Sequence, residues 1–300
     1  MKTKLTGFLL MVLAAFGLAA ATIFMKIIPQ MTAMTPAHVS IWRFIIAGVL
    51  IWIVAIFRKN VNKQRQRIPL RFLLLGLVFG ISGFSAVFAL DYLPTSVYVI
   101  IIYIYPSLVV LYSLITGKSV PKLFWLGLPL TFLGLILTAF DFGSVLAVDP
   151  VGFAITIVNA LAMVAYFLLS ERFFGKGVSK FRGTWWMLTG ALVFSLLWIP
   201  FIGIKLPDSG QSWALILSLG VLGTFIPLLS INVGLQQIGA ARGSVIITLQ
   251  PVIAVLFSTI FLGETLTFQQ WIGGILVIGA VILLQLSKDR QESDGRESIL

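Results

Sequence analysis

Residues 234–284 read GLQQIGAARGSVIITLQPVIAVLFSTIFLGETLTFQQWIGGILVIGAVILL. Apolar runs on either side of the polar turn Gly263-Glu264-Thr265 predict two helices. Pro251 interrupts the first, and the second opens at Trp271 and carries Gly273, Gly274 and Gly279. Residues 89–138, ALDYLPTSVYVIIIYIYPSLVVLYSLITGKSVPKLFWLGLPLTFLGLILT, repeat the pattern. Leu93 matches Ile238 and Pro106 matches Pro251 at an offset of 145; Trp125 matches Trp271 and Gly127 matches Gly273 at 146. An offset near half of 300 residues means that the chain is two copies of one unit.

The chain is 59% hydrophobic and 10% charged, with a mean hydropathy of +1.06. A water-facing surface needs more polar residues than that. Several apolar runs reach about 20 residues, the length that crosses a hydrocarbon core of about 30 Å. The expectation is an all-α polytopic membrane protein, because helices satisfy their own backbone groups in lipid and no alternating barrel pattern is present. The absence of cysteine excludes a disulfide or thiolate nucleophile, and the single histidine, His38, excludes a multi-histidine metal centre. No cofactor is expected.

About ten spans are predicted, near 5–27, 38–57, 71–90, 95–116, 121–140, 151–170, 184–203, 213–235, 241–262 and 268–286. The units are expected at 1–145 and 146–287, with a charged cytoplasmic tail at 288–300 that has no fold of its own. Met1-Lys2-Thr3-Lys4 before an apolar run imitates a signal peptide. That run is as long as a full span, however, and the repeat requires it as the partner of span six. With the N-terminus in the cytoplasm, the inner segments hold Lys2, Lys4, six cations from Arg58 to Arg71, Lys118, Lys122, Arg172, Lys176, Lys180, Arg182, Arg242, Lys288, Arg290 and Arg296. The outer side keeps only Lys26 and Lys205, and Arg43 lies within a span. This asymmetry obeys the positive-inside rule, so the charge of +11 reports topology in a plasma or bacterial inner membrane, with both termini cytoplasmic, rather than nucleic-acid binding. Five spans per copy is odd, so the second copy enters from the opposite side. Such inverted repeats are a recurring construction of secondary transporters.

The run Ile238-Gly239-Ala240-Ala241, Pro251, Gly263-Glu264 and Ile272-Gly273, with Arg43-Phe44 early in span two, resembles the EamA domain of the drug/metabolite transporter superfamily. The first copy departs from it at Lys118, where that family often carries Glu, and at Pro121, which begins the next helix. The resemblance covers nearly the whole chain. It implies ten helices around a central cavity and transport of small metabolites, such as amino acids or their relatives.

Pro106 and Pro251 lack an N–H, which leaves the carbonyls of Ile102 and Ile247 without a helical donor. The bland reading is a kink. Recurrence in both copies, each time behind a polar residue (Tyr105 or Gln250), favours a broken, gating helix that lines a cavity at mid-membrane. Arg43 is a cation at depth. It would bind a substrate carboxylate, or else snorkel outward or clamp loop carbonyls; the balance leans to a structural role, and it stays among the binding candidates. Ser85, Tyr98, Tyr103, Asn159, Tyr166 and Asn232 are further polar groups at depth, and Tyr98, Ile102 and Tyr105 share one helix face. Singly they are helix–helix hydrogen bonds; together with Gln250 they describe a weakly polar, aromatic substrate-binding cavity. Trp125, Trp271, Trp185 and Trp186 are expected as interfacial anchors, Gly273, Gly274 and Gly279 as close helix contacts, and Glu264 and Asp91 as outer span ends. Asp141 and Asp149 are loop residues, and His38 is a solvated residue at the outer surface.

The function expected is a secondary transporter, exporter or exchanger, working by alternating access. No GxxxxGK[ST] loop is present for ATP, and few buried acids are available for proton relay. The alternatives are a channel, which needs a ring of carbonyls or like charges, and an intramembrane enzyme, which needs a nucleophile–base pair or metal cluster at depth. The partners expected are a small-molecule substrate and the lipid bilayer, not nucleic acid, with a homodimer left open.

Overall fold

The computed structural model describes residues 2–57, 70–117, 124–139, 149–175, 178–263 and 267–297. Most of the basic loop after Arg58, together with Lys118, Pro121, Asp141, Lys176 and Glu264, lies outside the described residues. The rest is helical, with no strand among the described residues. The helices are α1 (Lys2–Met31), α2 (Pro36–Phe57), α3 (Leu70–Ala89), α4 (Thr95–Ile102), α5 (Tyr105–Ile115), α6 (Phe124–Ala139) and α7 (Pro150–Phe173). They continue with α8 (Lys180–Leu197), α9 (Ile199–Ile202), α10 (Gly210–Gly220), α11 (Ile226–Ile238), α12 (Ala240–Ile247), α13 (Leu249–Leu262) and α14 (Phe268–Glu297). A π-helical turn, Val221–Phe225, joins α10 to α11. Eight membrane-length apolar segments and two shorter apolar helices result among the described residues. Their outer faces carry apolar side chains such as Phe57, Phe201 and Phe268, each at least 80% exposed, as a surface against lipid requires. The chain is a multi-pass membrane protein.

Proline sets the interruptions. The fourth span of each copy breaks where the missing N–H leaves a carbonyl unpaired: α4 ends at Ile102, four residues before Pro106, and α12 ends at Ile247, four before Pro251. The π turn has the same cause. Ile226 donates to the Val221 carbonyl, and Pro227 has no N–H for the Leu222 carbonyl, so that oxygen has no helical donor. It faces the bare backbone of Gly17 on α1, where a Cβ would lie 2.5 Å away.

The two copies interlock. The first helix of copy one, α1, packs on α10–α11 and on α12–α13, the third and fourth spans of copy two. Its counterpart α7 packs on α3 and on α4–α5, the third and fourth spans of copy one. The second spans meet as α2 against α8, and the fifth spans as α6 against α14. This reciprocal exchange is the contact pattern of an inverted repeat about an axis in the membrane plane. In lipid the driving force is close backbone approach rather than water exclusion. At the α3–α8 crossing a Cβ on Gly76 would lie 1.9 Å from the Met187 carbonyl oxygen, and one on Gly190 would lie 2.2 Å from that of Leu73.

Several local expectations are corrected. His38 is 6% exposed, not solvated: it forms a capping box with Thr35. The His38 N–H donates to Thr35 Oγ1 (3.4 Å), and His38 Nδ1 accepts from the Thr35 N–H (3.2 Å). Asp149 is the N-cap of α7, accepting from the Val151 and Gly152 N–H groups at 2.8 and 3.1 Å. Trp125 and Trp271 are 64% and 54% exposed, but Trp185 is buried in a cluster with Trp186 and Trp52 (ring centroids 5.2 and 4.8 Å). Gly273 lies against Gly134 on α6, whereas Gly279 faces open space. The tail continues α14 as helix to Glu297, because an established helix extends through Lys, Arg, Gln and Glu without a new nucleation cost.

Candidate functional site

A cavity of about 430 Å³ opens at one end of α3, α7 and α8, lined by Ser85, Phe88, Asp91, Tyr92, Ile155, Val158 and Trp198. One turn below Ser85 a hydrogen-bonded chain crosses three spans: Ser82 Oγ donates to Asn159 Oδ1 (2.6 Å), and Asn159 Nδ2 donates to the Tyr98 hydroxyl (2.8 Å). Helical spacing puts Ser82 and Ser85 on one face of α3, and Ile155 and Asn159 on one face of α7. The Ser82–Asn159–Tyr98 chain therefore lies directly beneath the lining of the cavity.

The opposite end of the same helices is closed. Asn232 on α11 holds α7 and α8 together: Tyr166 and Ser170 donate to its Oδ1 (3.1 and 2.8 Å), and its Nδ2 donates to Thr184 Oγ1 (3.0 Å) and Met187 Sδ (3.3 Å). Gln236 adds bonds to the Ser170 and Glu171 carbonyls at 3.2 and 3.0 Å. Beyond this, Phe72 packs on Phe174 and Phe173 (centroids 4.9 and 6.3 Å), with the Arg71 guanidinium carbon 5.0 Å over the Phe72 ring. From Ile155 to Ser170 the site runs along roughly 22 Å of α7.

The structure brings Ser85, Tyr98 and Asn159 to one end and Tyr166 and Asn232 to the other. Between them lie the broken spans. The Tyr105 ring packs on Phe167 and Tyr103 (5.5 and 6.0 Å), and its buried hydroxyl has no hydrogen-bond partner. Tyr103 forms the break itself, donating its N–H to the Val99 carbonyl. Pro106 is buried, while Gln250 and Pro251 are half-buried. Beside the prolines Ile102, Tyr105, Ile247 and Thr248 are all buried. Arg43 lies apart from both networks, on α2 against Met25.

Ser82, Ser170 and Thr184 escaped the sequence reading. The available signal was the spacing on α7, where Thr156, Asn159, Tyr166 and Ser170 recur at helical intervals as a polar stripe. Among the described residues no cluster of three or more His, Asp or Glu is placed to hold a metal.

The model of the EamA-like transporter family matches residues 5–140 and again 150–286. The uncharacterized transporter YyaM of Bacillus subtilis (strain 168) is 27% identical over 289 residues, covering 93% of this chain and 91% of that one. The uncharacterized transporter YdfC of the same organism is 23% identical over 275 residues, covering 85% and 84%. The threonine/homoserine exporter RhtA of Escherichia coli (strain K12) is 25% identical over 240 residues, covering 78% and 76%. A protein of known crystal structure superposes with a TM-score of 0.78 over 97% of this chain and 99% of that one, at 22% identity, which bears on the fold alone.

Proposed function

We infer that this chain, which belongs to the EamA-like transporter family, is a secondary transporter of amino acids or related small metabolites, working as an exporter or exchanger by alternating access. The observation that carries the reading is the asymmetry along the bundle: a cavity at one end of α3, α7 and α8, and a hydrogen-bonded, aromatic plug at the other. Two interlocked inverted copies have two arrangements of similar energy, each open to one face. The charge asymmetry supports a cytoplasmic position for both termini and the plug, and an outer position for the cavity.

In this reading Ser85, Asn159 and Tyr98 meet solute at the outer mouth. Tyr105 and Gln250, beside the breaks at Pro106 and Pro251, meet it at mid-membrane, and Tyr166 and Asn232 open last. The half-helices pivot at the breaks, where no continuous hydrogen-bond ladder resists bending. The name of RhtA supports amino acids as the first solutes to test. Purified protein in liposomes preloaded with unlabelled threonine or homoserine is expected to accumulate the labelled compound by counterflow. Equal uptake by protein-free vesicles across a panel of amino acids, sugars and nucleobases would defeat the reading.

A further inference from the structure

Arg43 is 9% exposed, yet its guanidinium meets no carboxylate among the described residues. Nη1 reaches only the Met25 sulfur, at 3.6 Å, a weak acceptor. Its Cζ stands 5.1 Å from the Phe44 ring centroid, and its Nε has no partner. One turn earlier on the same helix face, Ser40 is 1% exposed and its hydroxyl is also unpartnered. A clamping arginine would bond carbonyl oxygens, and this one bonds none. A snorkelling one would hold its head group in the open, whereas this residue is nine-tenths covered and its Nε is fully buried. A buried cation with open donors is costly to maintain, and an unsatisfied hydroxyl beside it adds to the cost. Both are relieved at once by an acceptor with two oxygens: a planar carboxylate matches the guanidinium fork, and Ser40 Oγ–H supplies a further donor.

We propose that Arg43 and Ser40 of α2 form the site that recognises the carboxylate of the transported solute, so that the substrate class is a small carboxylate. The inference rests on the transporter reading for the word substrate, but the site is tested by binding alone. The comparison uses the detergent-solubilised full chain and its Arg43→Met variant, in which an apolar side chain fills the same space. Melting is measured with pairs that differ only at the carboxyl group: L-threonine and L-threoninamide, lactate and lactamide, succinate and succinamide. Further arms contain inorganic phosphate or phosphatidylglycerol.

At least one carboxylate should stabilise the parent protein, its amide should not, and Arg43→Met should lose that response while melting no lower than the parent without ligand. For that solute, Ser40→Ala should weaken binding about tenfold and Arg43→Met by tenfold to a hundredfold, as lost charge-assisted bonds predict. The inference is overturned if carboxylate and amide stabilise alike, if no carboxylate distinguishes parent from variant, or if phosphate or phosphatidylglycerol gives the larger Arg43-dependent shift. A variant that melts far lower than the parent without ligand would mark Arg43 as a structural clamp and also overturn it. Carboxylate binding without counterflow of any solute leaves the site standing and sinks the transporter reading; counterflow that ignores Arg43 does the reverse.

Discussion

Asn232 shows how one side chain closes one end of a membrane bundle. Its amide is bonded to Tyr166, Ser170, Thr184 and Met187, on two other helices, and it is fully buried. Leucine has the same branched shape, a larger volume and none of the polar atoms. Asn232→Leu should therefore leave the Tyr166 and Ser170 hydroxyls without acceptors and destabilise the protein by about 1–3 kcal/mol, read from thermal unfolding in detergent. Unchanged unfolding would mean that the network contributes nothing to closure. Asn232, Tyr166, Asn159 and Tyr98 were legible as polar groups at depth, but their hydroxyl partners were not. A serine or threonine in a span usually bonds its own helix, as Thr131 does to the Gly127 carbonyl and Thr156 to that of Gly152. Thr184 does this too, donating to the Lys180 carbonyl while it accepts from Asn232. Nothing in residue type separates the two uses.

At the level of elements, proline chemistry was readable because it is local: a missing N–H at Pro106 or Pro251 points to a carbonyl four residues back, and the helices end there. The π turn before Pro227 was not singled out, since it also depends on Gly17 of α1 giving the Leu222 carbonyl room. Burial of Trp185 was illegible for a similar reason: the neighbouring ring, Trp52, comes from another helix. Helix crossings divide the glycines in the same way. Gly76→Ala would place a methyl 1.9 Å from the Met187 carbonyl oxygen, backbone that cannot yield without separating α3 from α8. We expect a loss of about 1–3 kcal/mol or more, seen as lower melting and lower yield of folded protein. Gly279→Ala meets nothing within 4 Å and should stabilise α14 by about 0.5–1 kcal/mol. Equal behaviour of the two variants would show that the α3–α8 contact is looser than described.

For the whole molecule, the repeat offset gave the interlocking of copies its outline, because duplication and an odd number of spans fix inversion without any knowledge of contacts. What the sequence left open is which end is closed, since that depends on packing between helices far apart in the chain. The cysteine-free chain makes this measurable with no background. Ser85→Cys puts a thiol in the lining of the cavity at the cost of one atom exchanged. In right-side-out vesicles a membrane-impermeant maleimide should label it from outside, whereas Lys4→Cys at the start of α1 should label only after permeabilisation. Adding Asn232→Leu to Ser85→Cys loosens the opposite end, shifts the population toward inward-open molecules and should slow outside labelling. A transported solute at saturation should slow it as well, by occupancy or by the same shift. Labelling of Ser85→Cys from the cytoplasmic side alone would reverse the assigned orientation, and a rate indifferent to Asn232 would mean that the two ends of α7 do not communicate.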